Sequence, residues 1–327
     1  MLNNQLNLNT EIFIPGPEKK SGRDSFGEAL LSLGENNPNI VVLGADLMES
    51  TRINYFADKF PKRAIQMGIA EQNMIGVAVG LSLEKKIPFA VSHAVFNPSN
   101  NWAQIRMGVA LSNANVKIVG THSGFSNGKD GGVAEPFEDI SLMRVLPNFT
   151  VIEPIDGVQV VKAAKMSASL YGPFYIRISK ESTPLITTED TPFEYGKALV
   201  LKEGKDITIV SSGPITYEAL LASRELKLKY NIEAEVIASP FIKPLDKETI
   251  ISSIRKTGKV ISLEEHQIEG GLGGALAEVI VEEYPVRMMR LGIKGVFGES
   301  GSYEELKDKY GLSGHNIVNK VVTFLKV

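Results

Sequence analysis

Cysteine is absent from the 327-residue sequence. That excludes disulfides, thiol nucleophiles and thiolate metal sites, and leaves the redox compartment open on that ground. Histidine is scarce: His93, His122, His266 and His315 are all there are. No two of them stand at the short spacing that zinc sites use, so no transition metal held by this chain is expected. No apolar run reaches membrane length, and the polar start MLNNQLNLNTEIFIPGPEKK has no apolar signal core. A soluble, cytoplasmic protein with no membrane partner is the expectation. Positive charge is not in excess either: the net charge is −3 with interspersed signs, so nucleic acid is not an expected partner.

What is present is ample apolar content, 43% of residues, on a chain long enough for two cores. Short β-branched runs alternate with helical patterns, the rhythm of α/β domains with largely parallel sheets. NIVVLGAD, PFAVSH, VKIVGTH, FTVIEP and FYIRIS read as buried strands. FGEALLSLGEN, NWAQIRMGVALSN and GVQVVKAAKMSASLY read as helices between them. The stretch STPLITTEDTPFEYG, rich in Thr, Pro and acid, reads as a linker. A second α/β pattern follows it, with DITIVSSG, EAEVIASPFIKPL and KVISLEEHQ as strands. Its GGLGG turn feeds a helix. That invites a dinucleotide-binding reading, but tight strand-to-helix packing explains the glycines more simply. The fold class is therefore α/β with two doubly wound domains. The expected division is an N-terminal extension at 1–18, a first domain at 19–183, a linker at 184–196 and a second domain at 197–327.

One helix carries an oddity. In MGIAEQNMIGVAVGL, apolar residues recur at helical spacing, and Gly76 with Gly80 predict close approach of another backbone. Glu71 has Met74, Ile75 and Ala78 three, four and seven residues on. A carboxylate buried there is costly unless it is paired, protonated or used.

The stretches GRDSFGEAL, GADLMEST, FPKRAIQMGIAEQNMIGVAVGL, NWAQIR, VKIVGTHSGF, FEDISLMRVLPN, FIKPLD, EEHQIEGGLG and FGESG occur in one order across almost the whole chain. In this order they resemble the C-terminal half of transketolase, in the split form where two polypeptides make one thiamine diphosphate enzyme. The resemblance implies a pyrimidine-binding first domain and a transketolase C-terminal second domain. It implies that Glu71 is the carboxylate that activates the cofactor's aminopyrimidine, the base of the reaction. Phe96 matches the ring that stacks on the aminopyrimidine, and Asp46 matches an acid near the cofactor. Arg23 and Ser50 match residues that hold a sugar phosphate. Lys180 stands where an arginine is usual, keeping the charge but losing the planar fork. His122 and Asp130 match residues lining the substrate channel, and His122 joins Glu71 as an expected catalytic residue.

Three departures fall close to the chemistry. DGGVAE, Asp130 to Glu135, replaces a DGATHQ or DGPTHQ pattern, so the histidine that contacts the two-carbon unit is Ala134 and the following glutamine is Glu135. His93 replaces a cofactor-pocket phenylalanine, and either supplies a substitute imidazole or packs as a neutral ring. Ser99 and Asn100 replace a glycine–arginine pair, with Trp102 at a commonly aromatic position. The superfamily's GDG with a downstream asparagine, which binds magnesium through oxygen ligands, is not found. The resemblance thus implies a partner subunit bearing the diphosphate-binding domain and the Mg2+ ligands, with two of each chain in a heterotetramer and sugar phosphates as substrates. Related alternatives are a specialised ketolase, a deoxyxylulose-phosphate synthase-like half, an oxo-acid dehydrogenase beta subunit, or a non-catalytic paralogue.

Overall fold

The computed structural model describes residues 2–326. Its strands, in chain order, are β1 (Lys19–Ser21), β2 (Ile40–Gly44), β3 (Ala64–Gln66), β4 (Ile87–His93), β5 (Lys117–Thr121), β6 (Thr150–Ile152), β7 (Phe174–Ile178), β8 (Ser182–Pro184), β9 (Leu199–Lys202), β10 (Ile207–Ser211), β11 (Ala234–Ala238), β12 (Phe241–Lys243), β13 (Lys259–Gln267) and β14 (Arg287–Ile293). A seven-stranded sheet runs β12-β6-β7-β5-β4-β2-β3 and a five-stranded sheet runs β14-β13-β10-β11-β9. Both are parallel except at one edge, where β12 and β9 run antiparallel to their neighbours. The central strands β2, β5, β7, β10 and β11 are buried along their whole length. Helices cover both faces of such strands, which is why they read as continuous apolar runs without alternation.

The helices match the expected slots, with three corrections. The Met67–Leu81 pattern becomes a helix only from Glu71 to Leu83. Gly68 adopts φ 70° in the turn before it. Gly76 and Gly80 face open space, where an added Cβ would meet nothing within 4 Å; the close backbone approach expected there is not made among the described residues. NWAQIRMGVALSN is one short turn, Trp102–Gln104, running into a π-helix at Ile105–Ala110. Periodicity could not signal that change of winding, because both forms bury much the same face.

EAEVIASPFIKPL is also two strands. It completes β11 in the second sheet, then crosses at Ser239–Pro240 to add β12 to the edge of the first. The two domains therefore share a strand connection, and Glu153 N–H bonds Pro240 O at 2.7 Å across it. The N-terminal segment is bound to the second domain. Leu8 and Ile12 are buried in its core, Asn3 N–H bonds Leu201 O at 2.8 Å, and Tyr217 Oη donates to Ile12 O at 3.0 Å. Asp156 caps the helix Gly157–Ser169 through Gln159 N–H. It also accepts from the Ile186 and Thr187 backbone, fastening the connecting segment.

Between the domains lies a polar knot that the sequence pattern does not disclose. Arg177 on β7 is 1% exposed and paired with Asp139 and Glu153, both buried. Its Nη2 donates to Pro136 O and Glu265 O at 2.9 and 3.0 Å. Tyr175 donates to Asp139 at 2.6 Å and Ser212 donates to Glu153. The two carboxylates hold the guanidinium pKa above its ordinary range against the opposing effect of burial. A guanidinium whose three nitrogens all find partners, in two acids and two carbonyls, is what makes such a burial tolerable.

Candidate active site

β2, β4, β5 and β7 are neighbours and run the same way, so their carboxyl ends share one edge of the sheet. The turn after β2 carries Asp46 and Ser50, β4 ends on His93, β5 leads into His122, and Lys180 follows β7. Ser50 Oγ lies 3.0 Å from His93 Nε2 and 3.2 Å from His122 Nε2. The two imidazoles stack with centroids 3.7 Å apart, and Phe96 lies nearly parallel to His93 at 6.0 Å. A single hydroxyl proton serves two ring nitrogens, so one histidine accepts from Ser50 and the other donates to it. Thr121 Oγ1 is 2.9 Å from His122 Nδ1 and sets the second end of that ring.

Both imidazoles are held neutral. Burial lowers His93 to about 4, with Lys180 and Arg23 adding to the effect and Asp130 opposing it. Burial lowers His122 to about 2, with His93, Lys180, Arg23 and Arg52 in support. The site is thus a polar, uncharged floor beside two cations. Arg23, in the first turn of the helix Gly22–Asn36, donates Nη1 to Ser50 O at 2.9 Å, and its buried Nε has no protein partner. Burial and neighbouring Arg52 lower its pKa from the ordinary value. A partly buried guanidinium with a free donor is suited to an anion. His122 and Asp46 both adopt left-handed backbone, φ 60° and 61°, a conformation that costs energy in residues other than glycine and clusters at functional sites.

Glu71 is the first residue of its helix and is 6% exposed. Ser92 Oγ donates to its Oε1 over a long 3.4 Å. Its backbone carbonyl accepts from Asn101 Nδ2 at 3.3 Å, and Asn101 bonds Asn97 at 3.0 Å. Asn97 in turn reaches the carbonyls of Ala90 and Val119 on two strands. This asparagine relay from FNPSNN lies outside the expected site residues; a run of amides so close to a strand end is its only sequence signal. Gln72 Nε2 bonds Asn100 O at 3.0 Å and Trp102 Nε1 bonds Leu142 O at 2.8 Å, so the departures around Ser99 are structurally accommodated.

The structure brings Arg23, Ser50, His93 and His122 into contact. Phe96 lies against the His93 ring, while Glu71 is bonded to Ser92, the residue before His93 on β4. Asp46 is exposed and its backbone N–H bonds Gln66 Oε1 at 2.7 Å; its partner is Gln66 rather than the histidine group. Asp130 is exposed on the loop Gly124–Val133. Ala134 turns its carbonyl to Asn127 Nδ2 at 2.7 Å.

The second domain's glycine-rich turn is occupied by the protein itself. Glu264 accepts from Leu272 N–H at 2.7 Å and Gly273 N–H at 2.8 Å, filling the helix N-terminus where a nucleotide phosphate would sit. A Cβ at Gly271 would overlap Glu264 and His266. The glycines serve close packing.

Two family models match in order: the transketolase pyrimidine binding domain over residues 18–185 and the transketolase C-terminal domain over 196–317. A Methanocaldococcus jannaschii protein named as a transketolase C-terminal section is 42% identical over 94% of this chain and 97% of its own length. A 6-deoxy-6-sulfo-D-fructose transketolase subunit from a Clostridium species is 40% identical over 90% of this chain and 92% of its own. Among solved structures, one described as a split gene transketolase, inactive beta4 tetramer, superposes with a TM-score of 0.86 at 44% identity, covering 94% of this chain and 98% of that one.

Proposed function

Since the chain belongs to the transketolase family, spanning its pyrimidine-binding and C-terminal domains, we propose that it is one subunit of a split, thiamine diphosphate-dependent transketolase that moves a two-carbon ketol unit between sugar phosphates. The observation that carries this reading is that β4 bears, on successive residues, Ser92, weakly bonded to Glu71 at a helix start, and His93, which joins Ser50 and His122 beside Arg23 with its free Nε. The same reading divides the chain into a pyrimidine domain at 19–183, a linker at 184–196 and a C-terminal domain at 197–327.

The residues present fit the pyrimidine end of the cofactor, a carboxyl group for a ring nitrogen and Phe96 for a ring face. Thiamine diphosphate supplies, when bound, the nucleophilic carbon centre that cleaves the bond beside a ketose carbonyl. Glu71 would hydrogen-bond the pyrimidine nitrogen of the bound cofactor. Ser50, His93 and His122 orient the donor's hydroxyls by hydrogen bonds from neutral rings, and Arg23 with Lys180 binds its anionic end. Diphosphate and Mg2+ are assigned to an N-terminal partner subunit, two of each chain assembling in the cytoplasm. The relative described as an inactive beta4 tetramer supports the need for a second kind of chain.

A second reading is favoured by the 40% identical sulfofructose transketolase subunit together with Ala134 and His93: a specialised ketolase whose donor ends in a sulfonate. Arg23 and Lys180 suit that anion as well. The test mixes this chain with its partner, Mg2+ and thiamine diphosphate, and offers xylulose 5-phosphate, 6-deoxy-6-sulfofructose and pyruvate in turn. Ketol transfer from the first supports the main reading, and transfer from the second alone supports the specialised one. Turnover of pyruvate alone, or of none, overturns both.

A further inference from the structure

The loop that carries Asp130 is held by the other domain. Along Gly124–Val133, Gly128 (φ 42°) and Gly131 (φ 69°) depart from helical geometry. A Cβ at Gly128 would come within 2.6 Å of Gly301 O, one at Gly131 within 2.8 Å of Ser300 Oγ, and one at Gly132 within 2.5 Å of Gly298 O. Gly301 N–H bonds Gly128 O at 3.2 Å. At Gly128 and Gly132 the two backbones are therefore in van der Waals contact, and at Gly131 the Ser300 hydroxyl fills the space a Cβ would take. At the end of the loop, Glu135 is 3% exposed, and neither of its carboxyl oxygens has a well-formed hydrogen bond. Gly298 has no room for a Cβ because the Glu135 carboxyl occupies that space.

We propose that Glu135 is a positioning residue whose neutral carboxyl keeps the Asp130 loop seated on the Gly298–Gly301 segment, and that its ionisation loosens that seat and weakens donor binding. The inference rests on the reading that this loop contacts the donor. The groups facing Glu135 make its charge unwelcome. Glu299 lies on the clamping segment and Glu265 on β13, and both repel an anion there. Tyr310, stacked on Phe125 at 5.3 Å, also faces Glu135. Lys309, the residue before it, is already paired with Glu299 at 2.6 Å. Glu265 is engaged by Tyr303 Oη and by Phe125 N–H. Burial, followed by these acids, raises Glu135 to about 7, with the Glu299 backbone offsetting part of the rise. A raised folded-state pKa means the proton stabilises the seated loop at low pH, and that stability is lost as pH rises through about 7.

The test has two arms. Hydrogen exchange of amides 124–134 in the full chain, corrected for intrinsic rates, is followed from about pH 6 to about pH 8.5. Loss of protection in wild type, absent in E135Q and retained in E265Q, supports the proposal. In the reconstituted complex, donor KM should rise about fivefold over the same range in wild type with kcat little changed, and stay flat in E135Q. If E135Q keeps the pH step, or if E265Q alone removes it, Glu135 is not the group. Because exchange needs no turnover, the loop can pass while the ketol-transfer reading fails in the complex, and the two failures remain distinct.

Discussion

Two glutamates meet helix N-termini in this molecule, with opposite outcomes. Glu264 reaches from β13 to the helix Leu272–Glu283, is fully buried, and accepts two short backbone hydrogen bonds. Burial still raises it to about 8. Glu71 starts its own helix at the edge of the other sheet and receives one long bond from Ser92. The first acid is consumed by the fold. The second is left with unmet hydrogen-bonding capacity on the sheet that also carries the stacked histidine pair. Similar chemistry at two sheet edges thus separates a structural acid from a candidate catalytic one by how much of its demand the protein already meets.

The comparison can be broken most sharply at Glu71. Glu71→Gln should lower ketol transfer in the reconstituted complex by at least about a hundredfold, with the melting temperature of the chain almost unchanged. Equal activity of variant and wild type would remove the distinction. Arg177→Met should act in the other sense, costing about 3–5 kcal/mol in denaturant unfolding because Asp139 and Glu153 are left buried without their cation. Glu264→Ala orphans the N–H groups of Leu272 and Gly273, and a loss of about 1–3 kcal/mol is expected by the same measurement. Its effect on cofactor-dependent activity should follow stability alone; a selective loss of activity would mean that the second edge is functional too. The smallest effect concerns the helix behind Glu71. Gly76→Ala and Gly80→Ala meet open space in this chain and should each stabilise it by about 0.5–1 kcal/mol. A simultaneous loss of partner affinity, read by analytical ultracentrifugation, would show that those glycines serve close approach between chains.

Much of the candidate site is legible in the sequence. GIAEQNM singles out Glu71 because a carboxylate among Met74, Ile75 and Ala78 demands a reason, and PFAVSH and VKIVGTH place two histidines at strand ends. Their mutual contact through Ser50 is not legible, since residues 50, 93 and 122 meet only when β2, β4 and β5 lie side by side. The helix start is misread because Met67 and Ala70 continue an apolar period that Gly68, at φ 70°, interrupts. The crossing at Ser239–Pro240 is hidden for a related reason: β11 and β12 are both apolar, and hydrophobicity does not say which sheet a strand joins.

By itself the sequence determined the α/β class, the two-part organisation and the residue types at each strand end. Those follow from local periodicity, and a run such as IVVLG is buried on both faces in any parallel sheet. Tertiary structure alone decided which polar groups were left unsatisfied. Glu264 and Glu71 are both glutamates near apolar runs, but only the packed chain brings backbone N–H groups to one and not to the other. The same holds for Arg177 between its two acids and Glu135 between two acidic segments. Hydrogen-bond demand is written in residue identity, whereas its satisfaction depends on distances of about 3 Å between segments far apart in the chain.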